Sequence, residues 1–308
     1  MTQTCVITGA NGFIGRRMVE TLLDQGWHVT ALSRTIDWLT ALGHSNLRVI
    51  AWDAGDALAP DVLAEVDALF HLAAFIPPNQ NDASYARQCL EVNALGTLHL
   101  LEAAVAAKVK RFVYFSSGAT YAPLKRPVNE SDALFPVHRA TFYLSSKIVG
   151  EMYALFYSQN RGLPVTSLRV SSVYGRGMSE KSLIRRFIAN LSAGSPIDVD
   201  DGGRFTADFV NVDDVIRLAL LAVERGADGC YNAGAGTPIS TLELANAIAQ
   251  AVNAPPELVR VHPAGAGQAG FSALDITKSN GLGYTPIQFH EGLHSLLTWL
   301  NQVKGQTS

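Results

Sequence analysis

Short apolar runs recur along the first two thirds of the chain: Cys5–Thr8, His28–Leu32, Leu47–Ala51, Ala68–Leu72, Phe112–Phe115 and Val165–Val170. None shows the strict alternation of a half-exposed strand. Between them lie stretches with helical spacing: Ile14 to Leu23 closed by Gly26, the alanine- and leucine-rich run Asn93 to Lys108, and Thr141 to Tyr157. Unalternating strands separated by helices predict a parallel sheet covered on both faces, a doubly wound α/β (Rossmann) fold. Such a sheet takes ligands at the carboxyl ends of its strands.

Beyond Val170 the rhythm breaks. A Gly/Ser/Arg-rich stretch leads to a helix around Leu183–Leu191 and a turn at Asp200-Asp-Gly-Gly203. A helix over Val212–Glu224 and a strand over Cys230–Ala233 return to the first pattern. We therefore expect a dinucleotide-type domain built from 1–170 plus about 207–234. A smaller C-terminal substrate-binding cap would come from about 171–206 plus 235–308. The small-residue run Ala264–Gly270 reads as a mobile connection.

Composition narrows the class. The 308 residues are 48% hydrophobic and 17% charged, with 24 basic against 27 acidic side chains and a net charge of −3. That balance offers nothing to a phosphate backbone, so nucleic acid is excluded as the main partner. Cys5, Cys89 and Cys230 form an odd, scattered set without disulfide or zinc spacing. No window reads as a membrane span, and no signal-type segment precedes the first strand. The expectation is a soluble, cytoplasmic protein.

Gly9-Ala-Asn-Gly12-Phe-Ile-Gly15 joins the first strand to the first helix. Glycines there permit a tight turn and close approach of a pyrophosphate, which meets the positive end of the helix. A glycine triplet alone is weak evidence; strand before and helix after supply the context.

Thr8-Gly-Ala-Asn-Gly-Phe-Ile-Gly15 resembles the start of the extended short-chain dehydrogenase/reductase family, also called the NAD(P)-dependent epimerase/dehydratase family. Further matching pieces follow in order: Asp53, Phe70-His-Leu-Ala-Ala74, Asn93-Ala-Leu-Gly-Thr97, Phe115-Ser-Ser117, Tyr143-x-x-x-Lys147, Leu168-Arg-Val-Ser-Ser-Val-Tyr-Gly175, Asp208-Phe-Val-Asn-Val-Asp-Asp214 and Leu274-Asp-Ile-Thr-Lys278. The resemblance implies cofactor contacts from Gly9, Gly12, Phe13, Ile14, Gly15, Leu72, Ala73 and Ala74, with Asp53 on the adenine amine. It also implies a homodimer through the helices that hold Asn93 and Tyr143.

The end of the second strand selects the cofactor. It reads Leu32-Ser33-Arg34, so the carboxylate that would accept from the ribose hydroxyls of NAD is missing. Ser33 and Arg34 can bind a 2′-phosphate, which favours NADP, with NAD still possible.

Tyr143 and Lys147 stand four apart in a helical run and share a face. Tyr121 and Lys125 repeat the spacing, but Pro123 between them forbids a regular helix. A tyrosine acid/base needs its phenolate favoured, which a neighbouring ammonium and the positive nicotinamide can do. The resemblance gives Tyr143 the proton transfer, Lys147 the ribose hydroxyls, and Ser117 a hydrogen bond to the substrate oxygen. Ser116 is the near alternative to Ser117. His290-Glu-Gly-Leu-His294 fits a zinc pattern, but Gly292 weakens the helix and we expect no metal there.

The chain also departs from the family. Ser172 stands where nucleotide-sugar enzymes usually carry Asn, and Ala207 where an Arg commonly contacts the substrate diphosphate. Arg204, three residues upstream, could substitute, as could Arg176, Lys181, Arg185 or Arg186. The expectation is an NADPH-dependent reductase of a carbonyl on a nucleotide-activated sugar, of 4-keto type. Its rivals are a nucleotide-sugar epimerase with retained NAD, a reductase of a non-sugar ketone or aldehyde, and a non-catalytic NADP-binding sensor.

Overall fold

The computed structural model describes residues 3–122, 124–134, 141–265 and 270–306. The chain opens with β1 (Thr4–Thr8), α1 (Phe13–Asp24), β2 (His28–Ser33), a short α2 (Asp37–Ala41), β3 (Leu47–Ala51) and β4 (Ala68–His71). Then come α3 (Ala86–Cys89), a π-helical turn (Leu90–Leu95) and α4 (Gly96–Ala106), followed by β5 (Phe112–Ser117), α5 (Phe142–Arg161) and β6 (Val165–Val170). The remainder runs β7 (Ser172–Tyr174), α6 (Leu183–Ser192), β8 (Ile197–Val199), β9 (Thr206–Asn211), α7 (Val212–Glu224), β10 (Gly229–Ala233), β11 (Pro238–Ser240), α8 (Thr241–Ala251), β12 (Val259–Val261), α9 (Thr277–Asn280) and α10 (Phe289–Gln306).

Seven strands pair in the order β3-β2-β1-β4-β5-β6-β10, every one parallel to its neighbour. Both faces are buried, which explains the unalternating runs. Cys5 and Ile7 of β1 pack with Met18, Val19 and Leu22 of α1 and with Val215, Ile216 and Leu218 of α7. Val6 packs on the opposite face with Leu100, Leu101 and Ala104 of α4 and Ala154 and Tyr157 of α5. The strand order reverses between β1 and β4, and at that switch point an open α/β sheet forms its crevice.

Two small sheets, β11-β9-β7 and β12-β8, are separate from the main one. Helices α6, α8 and α10 supply a separate apolar cluster there, including Ile184, Phe187, Leu244, Ile248, Leu293 and Leu296. Leu293, Leu296 and Leu300 form the buried stripe of α10, while His290 and His294 face outward. Gly292 lies against the Tyr174 hydroxyl, where any Cβ would collide. Close packing therefore explains the glycine inside the zinc-like pattern. Of the run 264–270, residues 266–269 lie outside the described residues, as does Pro123.

One expectation needs correction. Ala83–Ala106 contains an eighteen-residue window of mean hydropathy 1.2, long and apolar enough to cross a membrane by length and composition. Its apolarity follows from its place between β-sheet and α5: Cys89, Asn93, Ala94, Thr97, Leu100, Leu101 and Ala104 are all buried. Burial accounts for that part of the stretch, while Leu90 and Leu95 of the same stretch are exposed.

Candidate active site

The loop from β1 to α1 is shaped by backbone proximity. Gly9 has φ +68° and lies so near the β4 loop that a Cβ would sit 2.7 Å from the Ala73 nitrogen. A Cβ on Gly15 would collide with the Gly9 carbonyl, so the helix can start this close to the strand only with glycine there. No side chain caps the N-terminus of α1, and its first turn carries no acidic residue. Its free N–H groups open onto a cavity of about 460 Å³ whose walls include Gly9, Asn11, Gly12, Leu32 and Ser33.

Arg34, Asp53, Leu72, Ala73 and Ala74 line the same cavity, together with Thr35 and Trp52, which the sequence reading did not single out. A glycine cradle, an open helix terminus and a crevice at the switch point fit a dinucleotide. Phe13, Ile14 and Gly15 are not among the lining residues. Phe13 and Ile14 pack into the apolar core, and Gly15 acts through its missing side chain.

Below this cavity a buried chain of hydrogen bonds fixes the β4 loop. The Ala73 N–H donates to Thr8 Oγ1, which lies 2.7 Å from His71 Nδ1; His71 Nε2 lies 2.9 Å from Thr97 Oγ1, which donates to the Asn93 carbonyl. Since Thr97 spends its proton on Asn93, His71 must carry its own on Nε2 and accept at Nδ1. Burial, and then the charge of Lys147, hold the imidazole neutral, with its pKa lowered to about 3. The Asn93 side chain accepts from the Phe75 N–H and donates to the Phe75 carbonyl and to Ser146 Oγ. The π turn thus ties β4 to α5, and Asn93 is a structural pin that motif spacing alone does not explain.

Helix α5 begins at Thr141, whose hydroxyl accepts from the Leu144 N–H, and ends at left-handed Gly162. Tyr143, Lys147 and Glu151 follow one another on a single face. Lys147 is 2% exposed, its Nζ 4.2 Å from the centroid of the Tyr114 ring. Burial lowers its pKa to about 7, with Glu151 opposing that shift. Glu151 is itself bound 2.6 Å from Arg169 of β6, so most of its charge is already answered. Burial and, less strongly, Cys89 push the Tyr143 phenol up to about 12.

Tyr143 and Ser117 line one cavity of about 290 Å³, with Gly118, Ala119, Leu144, Val170, Ser171 and Ser172 among its walls. Lys147 sits one helical turn behind Tyr143. Ser116, on the other side of the β5 pleat, is 6% exposed and lines no part of that cavity, which separates the two serines. Gln80, Asp208, Phe271, Ser272 and Leu274 complete the walls. Asp208 is buried and accepts from the N–H groups of Ala235, Gly236 and Leu274. Phe271 and Ser272 come from the irregular segment after the small-residue run, where no periodicity marks them.

Other candidates lie elsewhere. Arg204 does not line the cavity: its guanidinium binds Asp201 Oδ1 at 2.9 Å and the Gly265 carbonyl at 3.0 Å. Arg176 pairs with Glu20, and Arg185 with Glu180. Lys181 and Arg186 are exposed and line no part of the cavity. Tyr121, the decoy tyrosine, donates to Asn232 and accepts from Arg169 in the core, far from any role with Lys125.

A parallel sheet with a glycine cradle at its switch point, and a Tyr-x-x-x-Lys helix facing the adjoining strand end, define a dinucleotide-dependent oxidoreductase of the extended short-chain type. The chain belongs to the NAD dependent epimerase/dehydratase family, whose model matches residues 5–234. It is 33% identical to UDP-glucose 4-epimerase of Mycolicibacterium smegmatis, over 94% of this chain and 95% of that one. It is 30% identical to dTDP-4-dehydro-6-deoxy-D-allose reductase of Streptomyces bikiniensis, covering 96% of each. The structure of DesIV, a dTDP-glucose 4,6-dehydratase from Streptomyces venezuelae solved with NAD, superposes with a TM-score of 0.85 at 28% identity, covering 99% of this chain and 98% of that one.

Proposed function

We propose that the protein reduces a carbonyl on a nucleotide-activated sugar, using NADPH. When bound, the cofactor supplies the hydride. The chain's own residues position the carbonyl and deliver the proton: Ser117 Oγ donates to the substrate oxygen, and Tyr143 protonates it as the alcohol forms. Lys147, one turn behind, favours the tyrosinate that remains, and we assign it the nicotinamide ribose hydroxyls as its second role.

The observation that carries the reading is the chemistry of the cavity walls. Relatives epimerise, reduce or dehydrate, so identity alone does not choose among them. Elimination of water requires a base for a carbon-bound proton and an acid for the departing hydroxyl. After Ser117 come Gly118 and Ala119, and the one carboxylate among the described walls, Asp208, is held by three backbone N–H groups. Ser117 and Tyr143 suffice for carbonyl–alcohol interconversion. Ser33 and Arg34 at the end of β2 favour a phosphorylated cofactor that turns over, over a permanently retained NAD.

A diphosphate needs cations. The catalytic cavity has none among its described walls, but a second cavity of about 250 Å³ shares Phe271 and Ser272 with it and is lined by Lys125 and Arg126. Arg126 is engaged by Asp132 through two contacts of 2.7 Å, which leaves Lys125 as the cation to meet a phosphate. The cation-free walls beside Tyr143 favour one second reading, reduction of an uncharged ketone.

The test is NADPH oxidation followed by absorbance, with nucleotide 4-keto-sugars and simple ketones as substrates. Turnover of the nucleotide-sugars is expected. Turnover confined to uncharged ketones would install the second reading, and NAD released from the purified protein on denaturation would turn the reading towards epimerisation.

A further inference from the structure

Beside the Ser33–Arg34 corner, a line of hydrogen bonds runs from α1 to the loop after β2. Arg16 Nε lies 2.8 Å from Asn11 Oδ1 and 3.1 Å from the Asn11 carbonyl, and its guanidinium carbon stacks 4.8 Å from the centre of the Trp38 ring. Asn11 Nδ2 lies 2.7 Å from Thr35 Oγ1. Neither Arg16, Trp38 nor the Asn11–Thr35 contact was singled out by motif.

The direction of every bond in this line is determined. A guanidinium N–H can only donate, so the atom that faces it must be the amide oxygen of Asn11. The amide nitrogen then faces Thr35 and donates to its hydroxyl. Thr35 thereby receives a proton from one side and keeps its own to give on the other. Thr35, Ser33 and Arg34 all line the cofactor cavity. The corner consequently presents two hydroxyl donors and a guanidinium, and the only carboxylate on the described walls, Asp53, follows a different strand.

We infer that Arg16 and Asn11 are positioning residues that turn the Thr35 hydroxyl into a donor for the 2′-phosphate of NADPH, with Trp38 as the face that holds Arg16 in place. Thr35 touches the phosphate; Arg16 acts through Asn11. The inference rests on the NADPH reading above and adds four residues to it. A stacked guanidinium is held by its flat face as well as by its hydrogen bond, so the relay stays formed on an exposed surface.

The test is calorimetric titration of the full-length protein with adenosine 2′,5′-bisphosphate and with 5′-AMP, which differ only in the 2′-phosphate and need no turnover. Wild type is expected to bind the bisphosphate at least tenfold tighter. Thr35→Val and Arg16→Met should each reduce that ratio severalfold while leaving 5′-AMP affinity unchanged, and Thr35→Ser, which keeps the hydroxyl, should retain it. If wild type shows no preference, the NADPH reading itself fails and the relay falls with it. If Arg34→Ala removes the preference while Thr35→Val and Arg16→Met keep the wild-type ratio, NADPH stands and the relay is overturned. Equal losses for both ligands in Arg16→Met, with an unchanged ratio in Thr35→Val, would reduce Arg16 to a support of the loop and also overturn it.

Discussion

The ammonium of Lys147 rests 4.2 Å from the face of the Tyr114 ring, while the Tyr114 hydroxyl donates to the Lys147 carbonyl at 3.2 Å. One tyrosine therefore holds both the backbone and the charge of the residue behind the catalytic phenol. The ring offers a cation only partial compensation for lost water, and burial lowers the Lys147 pKa to about 7. In the unfolded chain the same amine titrates near 10.5. Between those two values the unfolded state binds a proton that the folded state does not, so stability rises with pH across about 7 to 10.5. Below that window the full cost of burying the cation is present. Lys147→Met should flatten this rise and stabilise the protein most at pH 6.5; urea unfolding at pH 6.5 and 9 measures both. The cation that favours the tyrosinate is likewise lost as pH passes 7. The rate of reduction should fall on that limb, and the limb should be missing in Lys147→Met.

Tyr143→Phe removes only the proton donor. General acid catalysis contributes about 10²- to 10⁴-fold, so kcat should fall by that order. The Kd for NADPH should stay within about twofold, because the cofactor cavity is walled by residues of other elements. Stopped-flow turnover alongside a fluorescence titration separates the two. An equal loss in both would mean that the hydroxyl positions the cofactor and does not supply the proton.

The fold was legible because burial on both faces leaves a mark in sequence: the runs Phe112–Phe115 and Ala68–Leu72 have no polar alternation to hide them. Tyr143 and Lys147 were legible because helical spacing alone places them on one face. Phe271 and Ser272 were not, since they reach the cavity from a segment without periodicity, after the small-residue run. Arg204 shows the opposite failure. Its position beside Ala207 suggested a replacement cation, yet neighbouring Asp201 captures it, and no pattern along the chain records which carboxylate an arginine will meet. The relay from Arg16 through Asn11 to Thr35 joins residues up to 24 positions apart and is invisible without coordinates.

Arg34 lines the cofactor cavity and makes no hydrogen bond or ion pair with another described side chain. Arg34→Ala should weaken NADPH about tenfold, or about 1.4 kcal/mol, and leave NADH nearly unchanged. Paired titrations with the two dinucleotides measure the ratio. An unchanged ratio would remove Arg34 from the site.

Gly150 stands one turn beyond Lys147, where a Cβ would lie 2.5 Å from the Tyr114 hydroxyl and 2.8 Å from the Asn93 carbonyl. Both neighbours are fixed: Tyr114 is fully buried in β5, and Asn93 is pinned to the β4 loop. Helix α5 can meet the π turn this closely only with no side chain at 150. Overpacking costs about 1–3 kcal/mol, so Gly150→Ala should lower the stability by that amount. It should also shift Lys147 away from the Tyr114 face, reducing kcat more than it changes NADPH affinity. Denaturant unfolding and kinetics on the same preparation would show both effects.

The outer face of α5 carries Met152, Tyr153 and Phe156 at 65%, 42% and 55% exposure, and Leu90 and Leu95 of the neighbouring π turn are 56% and 45% exposed. Apolar side chains gathered on two adjacent helices form the kind of patch that soluble proteins cover. We propose that a second copy covers it, the two α5 helices and their companions packing about a two-fold axis. A self-complementary face closes after two copies, which limits assembly to a dimer. Sedimentation of the wild type should therefore give a dimer. Met152→Glu combined with Phe156→Glu places charges opposite their own symmetry mates and should yield monomers whose circular dichroism matches the wild type. A wild type that sediments as a monomer across micromolar concentrations would reject the interface. A double variant that remains dimeric would place the interface elsewhere on the molecule.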